Sequence, residues 1–306
     1  MNKKVASILA VLVILIFIGY IIFDTASPEP KNKSVVPEEN INADLDKWVI
    51  SNVFDPEAGP LKAVAVSSSE NIFLGGDSWV ACFDKNLKFV WKLKTTKPVS
   101  ALSVSGDTLY ASTTETILII SSGGKLKEEW GPFEDNAIIT SVGSNGSCVV
   151  FADAGNKIVV VLTRKGEVKT LIGKTGEPFI IPSPYFDVAL TQDNTLFIAN
   201  SGNRRVEKRS IEGKLISYFG QPGTAPDAFC GCCNPAHFAV IPNGFVTAEK
   251  GLNRIKILDH AGKFVEFVSS VNKFSPPVPL DLASPDGVTI YAANPADSKL
   301  YIFTRK

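Results

Sequence analysis

The stretch Thr247–Phe264, TAEKGLNRIKILDHAGKF, is the third copy of one pattern. Its sisters are Phe151–Val168, FADAGNKIVVVLTRKGEV, and Ile198–Leu215, IANSGNRRVEKRSIEGKL. Each copy has a short apolar run ending in Ala and then Asp, Asn or Glu. A Gly/Asn turn follows, then an alternating strand, then a second Gly turn. Asp153, Asn200 and Glu249 share one position, and Gly166, Gly213 and Gly262 share another. A repeat of about 40–50 residues made only of strand and turn signals predicts a β-propeller.

Working outward, the same grammar continues more faintly. Four strands are expected after Pro60 (LKAVAVSS, NIFLGGD, WVACFDKN, FVWKLKT) and four after Pro98 (VSALSVSG, TLYASTT, TILIISSGG, LKEEWGP). Further units start near Ile138, Phe186, His237 and Leu280. Apolar and polar residues alternate, or the runs are apolar throughout, as in half-buried and fully buried sheet. The sixth unit ends at Lys306 one strand short, whereas Trp48–Phe54 (WVISNVF) is a strand without a unit. Placing that strand outermost in the last blade closes the ring and removes an open sheet edge. The expected fold is an all-β, six-bladed β-propeller over residues 47–306.

Before the propeller, Lys3 and Lys4 precede the uncharged run Val5–Phe23, VASILAVLVILIFIGYIIF. That run is long enough to span a bilayer as a helix. The segment DTASPEP makes a poor signal-peptide cleavage site, and no cysteine follows for lipid attachment. Residues 1–23 therefore read as a signal anchor with a cytoplasmic N-terminus, which puts the propeller in the periplasm or outside the cell. Residues 24–46 are rich in Pro, Glu, Lys and Asn and read as a flexible linker. The formal net charge of zero argues against nucleic acid as a partner. The partners expected are a protein, a peptide or a small ligand, with the membrane touched only through the N-terminal helix.

The repeat does not explain Gln221–Ala236, QPGTAPDAFCGCCNPA. It carries Cys230, Cys232 and Cys233, with His237 just beyond, and joins the outer strand of blade 4 to the inner strand of blade 5. Such connectors cross the propeller face that also carries the turns after Asp153, Asn200, Glu249 and Asn294. Aligned inner strands begin with Asp187 in blade 4, His237 in blade 5 and Asp281 in blade 6. Blades 1 to 3 offer Ala63, Ala101 and Ile139 at that position. Asp187, His237 and Asp281 are thus expected to converge at the channel mouth beside the cysteine loop.

Three readings of the loop stay open. Thiolate and imidazole would suit zinc, copper or an iron–sulfur centre, although the spacing C-x-C-C-x3-H matches no standard finger. Outside the cytoplasm a disulfide is equally in keeping: Cys230 with Cys233 is geometrically possible, and either could pair elsewhere. A redox or nucleophilic thiol is the third, with His237, Lys250 and Arg254 near enough to lower its pKa. Glu249, in place of the Asp or Asn of its sister repeats, is expected either as a charged turn residue or as a neighbour of the loop. Cys82 and Cys148 read as buried small hydrophobes, and His260 as a solvated turn residue.

The runs Gly202-Asn203-Arg204-Arg205-Val206 and Leu252-Asn253-Arg254-Ile255-Lys256 resemble the NHL repeat. Asp153, Asn156, Asn203, Arg204, Asn253 and Arg254 match its Asp, Asn and Arg positions. The resemblance is good over residues 140–268, fair to 306 and weak over the first two blades. It implies a six-bladed propeller without fixing an activity, because such propellers include metal-containing peptide-processing lyases, RNA-binding modules and protein-interaction platforms. The shared polar residues are expected to hold turns, and Arg204 and Arg254 to brace neighbouring blades. Two functional classes follow: a binding propeller using the face of the cysteine loop, or a metal-dependent lyase or hydrolase, or redox partner, using Cys, His and Asp at the channel mouth.

Overall fold

Six four-stranded antiparallel sheets follow one another along the chain in the computed structural model. The structure describes Leu15, Ile18 and residues 47–231, 234–251, 254–270, 274 and 278–306. The expected anchor at residues 5–23 otherwise lies outside the described residues, as do the linker 24–46, Cys232, Cys233, Leu252 and Asn253. No helix among the described residues is long and apolar enough to cross a membrane. Residues Ala43–Lys306 form one compact unit.

Each blade runs from an inner strand at the channel to an outer strand at the rim. The inner strands are Leu61–Val66, Ala101–Ser105, Ile139–Ser144, Val188–Leu190, His237–Ile241 and Asp281–Ala283. Middle strands are buried throughout, as in Cys148–Asp153 and Gly244–Ala248. Outer strands such as Leu126–Trp130 are largely exposed. This gradient follows from the packing: apolar faces of successive blades meet in clusters such as that of Ala152, Val161, Ile172, Phe186, Val188 and Ile198 between blades 3 and 4.

The repeated glycine is explained at the rim. Gly166 and Gly262 turn with φ of 81° and 79°, a region that glycine enters without strain. A Cβ at Gly166 would lie 2.7 Å from the Trp130 ring, and one at Gly262 would lie 2.3 Å from Phe219. The outer-strand aromatic of the preceding blade therefore occupies the space that a side chain would need.

The last blade is completed from the other end of the chain. Trp48–Phe54 pairs antiparallel with Lys299–Arg305, in register from Trp48 with Arg305 to Phe54 with Leu300. Trp48 is buried in the cluster of blades 5 and 6, with Ile290 and Phe303. Its indole N–H donates to Glu266 Oε1 at 3.1 Å, and Arg305 pairs with the same carboxylate. Closure thus makes the first strand the outer strand of blade 6 and ties it to the outer strand of blade 5. Trp48→Ala should lower stability by about 3–5 kcal/mol, as large-to-small changes in a core do. Chemical unfolding measures this, and an unchanged midpoint would contradict the closure.

Candidate functional site at the channel mouth

The inner strand of each blade is an edge strand, so alternate backbone N–H groups face the channel rather than a partner strand. At the mouth, side chains of one blade accept these donors from the next. Asp187 Oδ2 accepts the N–H of Phe238 at 2.8 Å, linking blade 4 to blade 5. Asp281 Oδ2 accepts the N–H of Val64 at 2.8 Å, linking blade 6 to blade 1. His237 lies between the two acids, its Nδ1 3.7 Å from Asp187 Oδ2 and 3.7 Å from Asp281 Oδ1. These are ion-pair separations, longer than direct hydrogen bonds. The three residues, expected to converge, do so around a cavity of about 70 Å3.

A fourth polar residue belongs to this set. Blade 3 presents Ser141 at the mouth, not Ile139. Ser141 pairs with Ala152 as His237 pairs with Ala248 and Asp281 with Ala293, whereas Ile139 pairs with Asp153. The reason is a β-bulge between Ile139 and Ser141, which shifts the register. The Ser141 hydroxyl donates to Asp187 Oδ1 and accepts the N–H of Val188 at 3.1 Å. A strand aligned without the extra residue misses it; the polar run Thr140-Ser141 was the available signal.

Electrostatics at the mouth follow from this crowding. Burial pushes the Asp281 carboxyl up to about 6, with the Asp187 charge adding to the rise and His237 opposing it. For His237, burial pulls the pKa down, but the nearby Asp187 and Asp281 carboxylates outweigh it and raise it above 6.5. The edge of the Tyr185 ring meets the imidazole, with centroids 6.2 Å apart.

The cysteine loop rests on a second cluster. Glu249 is no surface turn residue: it is buried and pairs with Arg254 Nε at 2.7 Å and Lys256 Nζ at 2.9 Å. Arg254 also donates to the carbonyls of Thr224, Ala225 and Ala228, and Lys256 to that of Ala228. Arg204 Nε donates to the Gly231 carbonyl. The two arginines therefore clamp the connector between blades 4 and 5. Burial pulls the Lys256 ammonium down to about 8, against the pull of Glu249.

Cys230 carries a free thiol, as do the buried Cys82 and Cys148. Burial and the Glu249 charge raise the Cys230 pKa, against the opposing effect of Arg254. That is the opposite of the depression expected of a nucleophile. The charges acting on Cys230 are those of Glu249, Arg254 and Lys256, while those acting on His237 are Asp187 and Asp281. Asn234 connects the two clusters. It donates to the carbonyls of Cys230 and Lys250 and accepts the Lys250 N–H, and Lys250 Nζ lies 5.0 Å over the Tyr185 ring. Among the described residues, no three His, Cys, Asp or Glu side chains are placed to hold a metal ion. His260 Nε2 lies 3.1 Å from the Pro242 carbonyl, away from both clusters.

Comparison with solved structures places this architecture among known propellers. The chain is similar to virginiamycin B lyase from Staphylococcus aureus, with a TM-score of 0.60 and 14% identity over 83% of this chain and 99% of that one. It is similar to a streptogramin B lyase, with a TM-score of 0.59 and 12% identity over 85% and 98% of the two chains. It is also similar to a protein of unknown function from Bacteroides thetaiotaomicron VPI-5482, with a TM-score of 0.64 and 13% identity over 83% and 72%. At these identities the likeness shows the six-bladed propeller fold alone. No protein-family model matches the chain, and no curated protein matches it.

Two outcomes test the clusters. Folding keeps protons on Asp281 and His237 at pH values where the unfolded chain has released them. Stability should therefore fall as pH rises, from about 4 to 6 for Asp281 and above about 6.5 for His237. Asp281→Asn, which can still accept the Val64 N–H, should flatten the lower part of that slope in thermal unfolding. A slope of the opposite sign would refute the assignment. Glu249→Ala leaves two buried cations unpaired and should cost about 3–5 kcal/mol in chemical unfolding. A change below about 0.5 kcal/mol, the range of ordinary surface substitutions, would show that the cluster does not hold the connector.

Proposed function

We propose that this protein is a membrane-tethered, extracytoplasmic binding propeller whose ligand presents a positively charged group to the channel mouth. The observation that carries the reading is the meeting of Asp187, His237 and Asp281, from three successive blades, around one small cavity. Support for the tether is the uncharged run Val5–Phe23 behind Lys3 and Lys4. The ligand is a small molecule, or a peptide or protein offering such a group. Arg204 and Arg254 clamp the connector that leads to His237.

Ligand and proton compete at this site. At low pH, Asp281 is protonated and His237 is itself the cation, so the mouth carries little net charge. At high pH both protons leave and two carboxylates remain. Affinity for a cation therefore rises with pH. Calorimetric titration of the full chain in detergent with methylamine, at pH 5.5 and pH 8, checks this against about a tenfold expected gain at the higher pH. Asp187→Asn and Asp281→Asn should each weaken binding. No binding, or binding indifferent to pH and to both substitutions, would overturn the reading.

A second reading, proton-transfer chemistry at the same mouth, draws on one comparison. A histidine-to-alanine variant of the staphylococcal lyase, similar to this chain at 13% identity, is catalytically inactive and was solved with quinupristin. Here His237 holds the analogous chemical type of group, an imidazole with its pKa raised by two carboxylates. Loss of quinupristin turnover in His237→Ala, set against turnover by the parent chain, would favour this reading over binding alone.

A further inference from the structure

The mouth is not uniformly acidic, and its opposite wall has a different chemistry. Channel-facing N–H groups are accepted by the preceding blade at Val188 (by Ser141), Phe238 (by Asp187) and Val64 (by Asp281). Leu102 and Val142 stand at the same register. Leu102 pairs with Ala111 and Val142 with Phe151, as Phe238 pairs with Thr247. The preceding blades, however, offer Ala63 and Ala101, which have no acceptor. Among the described residues no side chain accepts the N–H of Leu102 or Val142. Both residues line the same cavity as Asp187, His237 and Asp281. An edge N–H turned into a confined polar cavity needs an acceptor, and leaving it without one is costly.

The cavity therefore has two poles. Carboxylates stand on blades 4 and 6, and a pair of open backbone donors stands on the adjacent blades 2 and 3. We infer that the mouth is a socket for a zwitterion, the head group of an α-amino acid. Its ammonium meets Asp187 and Asp281, and its carboxylate accepts from the N–H groups of Leu102 and Val142. The ammonium half rests on the function proposed above; the carboxylate half is new. The cavity shares lining residues, Val188 and Leu282 among them, with a second channel cavity of about 250 Å3. A short side chain has room to extend along that channel.

Titration calorimetry of the full chain in detergent with glycine, methylamine and acetate at pH 8 separates the two halves. Glycine is expected to bind at least about tenfold more tightly than methylamine, and acetate more weakly than either. Ala101→Asp places a carboxylate where Asp187 stands in its own blade, to accept the Val142 N–H. It should remove the advantage of glycine and leave methylamine binding intact. A second readout needs no variant: in chain labelled at leucine and valine nitrogen, glycine should shift the amide resonances of Leu102 and Val142, and methylamine should not. If methylamine binds and glycine gains nothing over it, the socket is overturned while the cation site stands. If neither binds, both fall.

Discussion

Everything at the channel mouth depends on the ring being closed by its own first strand. An open six-blade array would leave two sheet edges free and let the first and last blades drift apart. Pairing Trp48–Phe54 with Lys299–Arg305 removes that freedom. Burial of the Trp48 indole, with its N–H on Glu266, ties the closing strand to blade 5 as well. The Asp281–Val64 contact joins the last blade to the first on the channel side of this seam.

Within the ring, the same hydrogen bonds serve the fold and the site. Asp187 and Asp281 each satisfy a backbone donor of the next blade, which holds their carboxylates in fixed positions. Burial at the mouth, together with the charges of the neighbouring blades, sets the proton affinities of Asp281 and His237. A site built on inner strands is held more precisely than one built on loops. Beside it, Glu249, Arg254 and Lys256 give the cysteine connector a buried ionic footing. Such a cluster is costly to break, although its desolvation makes it a weak source of net stability.

The repeat in Phe151–Val168, Ile198–Leu215 and Thr247–Phe264 made the propeller legible, because turn chemistry and strand period recur together. The missing strand of the last unit, set beside the orphan Trp48–Phe54, pointed to closure. Asp187, His237 and Asp281 were legible because each begins an inner strand, so that register alone brings them together. Ser141 was not, because a bulge hides it from an ungapped alignment. The burial of Glu249 was not legible either. A charged residue followed by Lys-Gly reads as a surface turn until Arg254 and Lys256 arrive from the next strand. Proximity of Cys230 and His237 in sequence suggested a shared site, but each faces its own set of charges.

Only two histidines occur in the chain, so the ring proton resonances of His237 are readily assigned against those of His260. Following them by NMR from pH 4 to pH 9 tests the convergence most directly. His237 should titrate above the ordinary histidine value of about 6.5, and Asp187→Asn should lower its midpoint. A His237 that titrates at the ordinary value and ignores the loss of that carboxylate would show that the three blades do not meet as described.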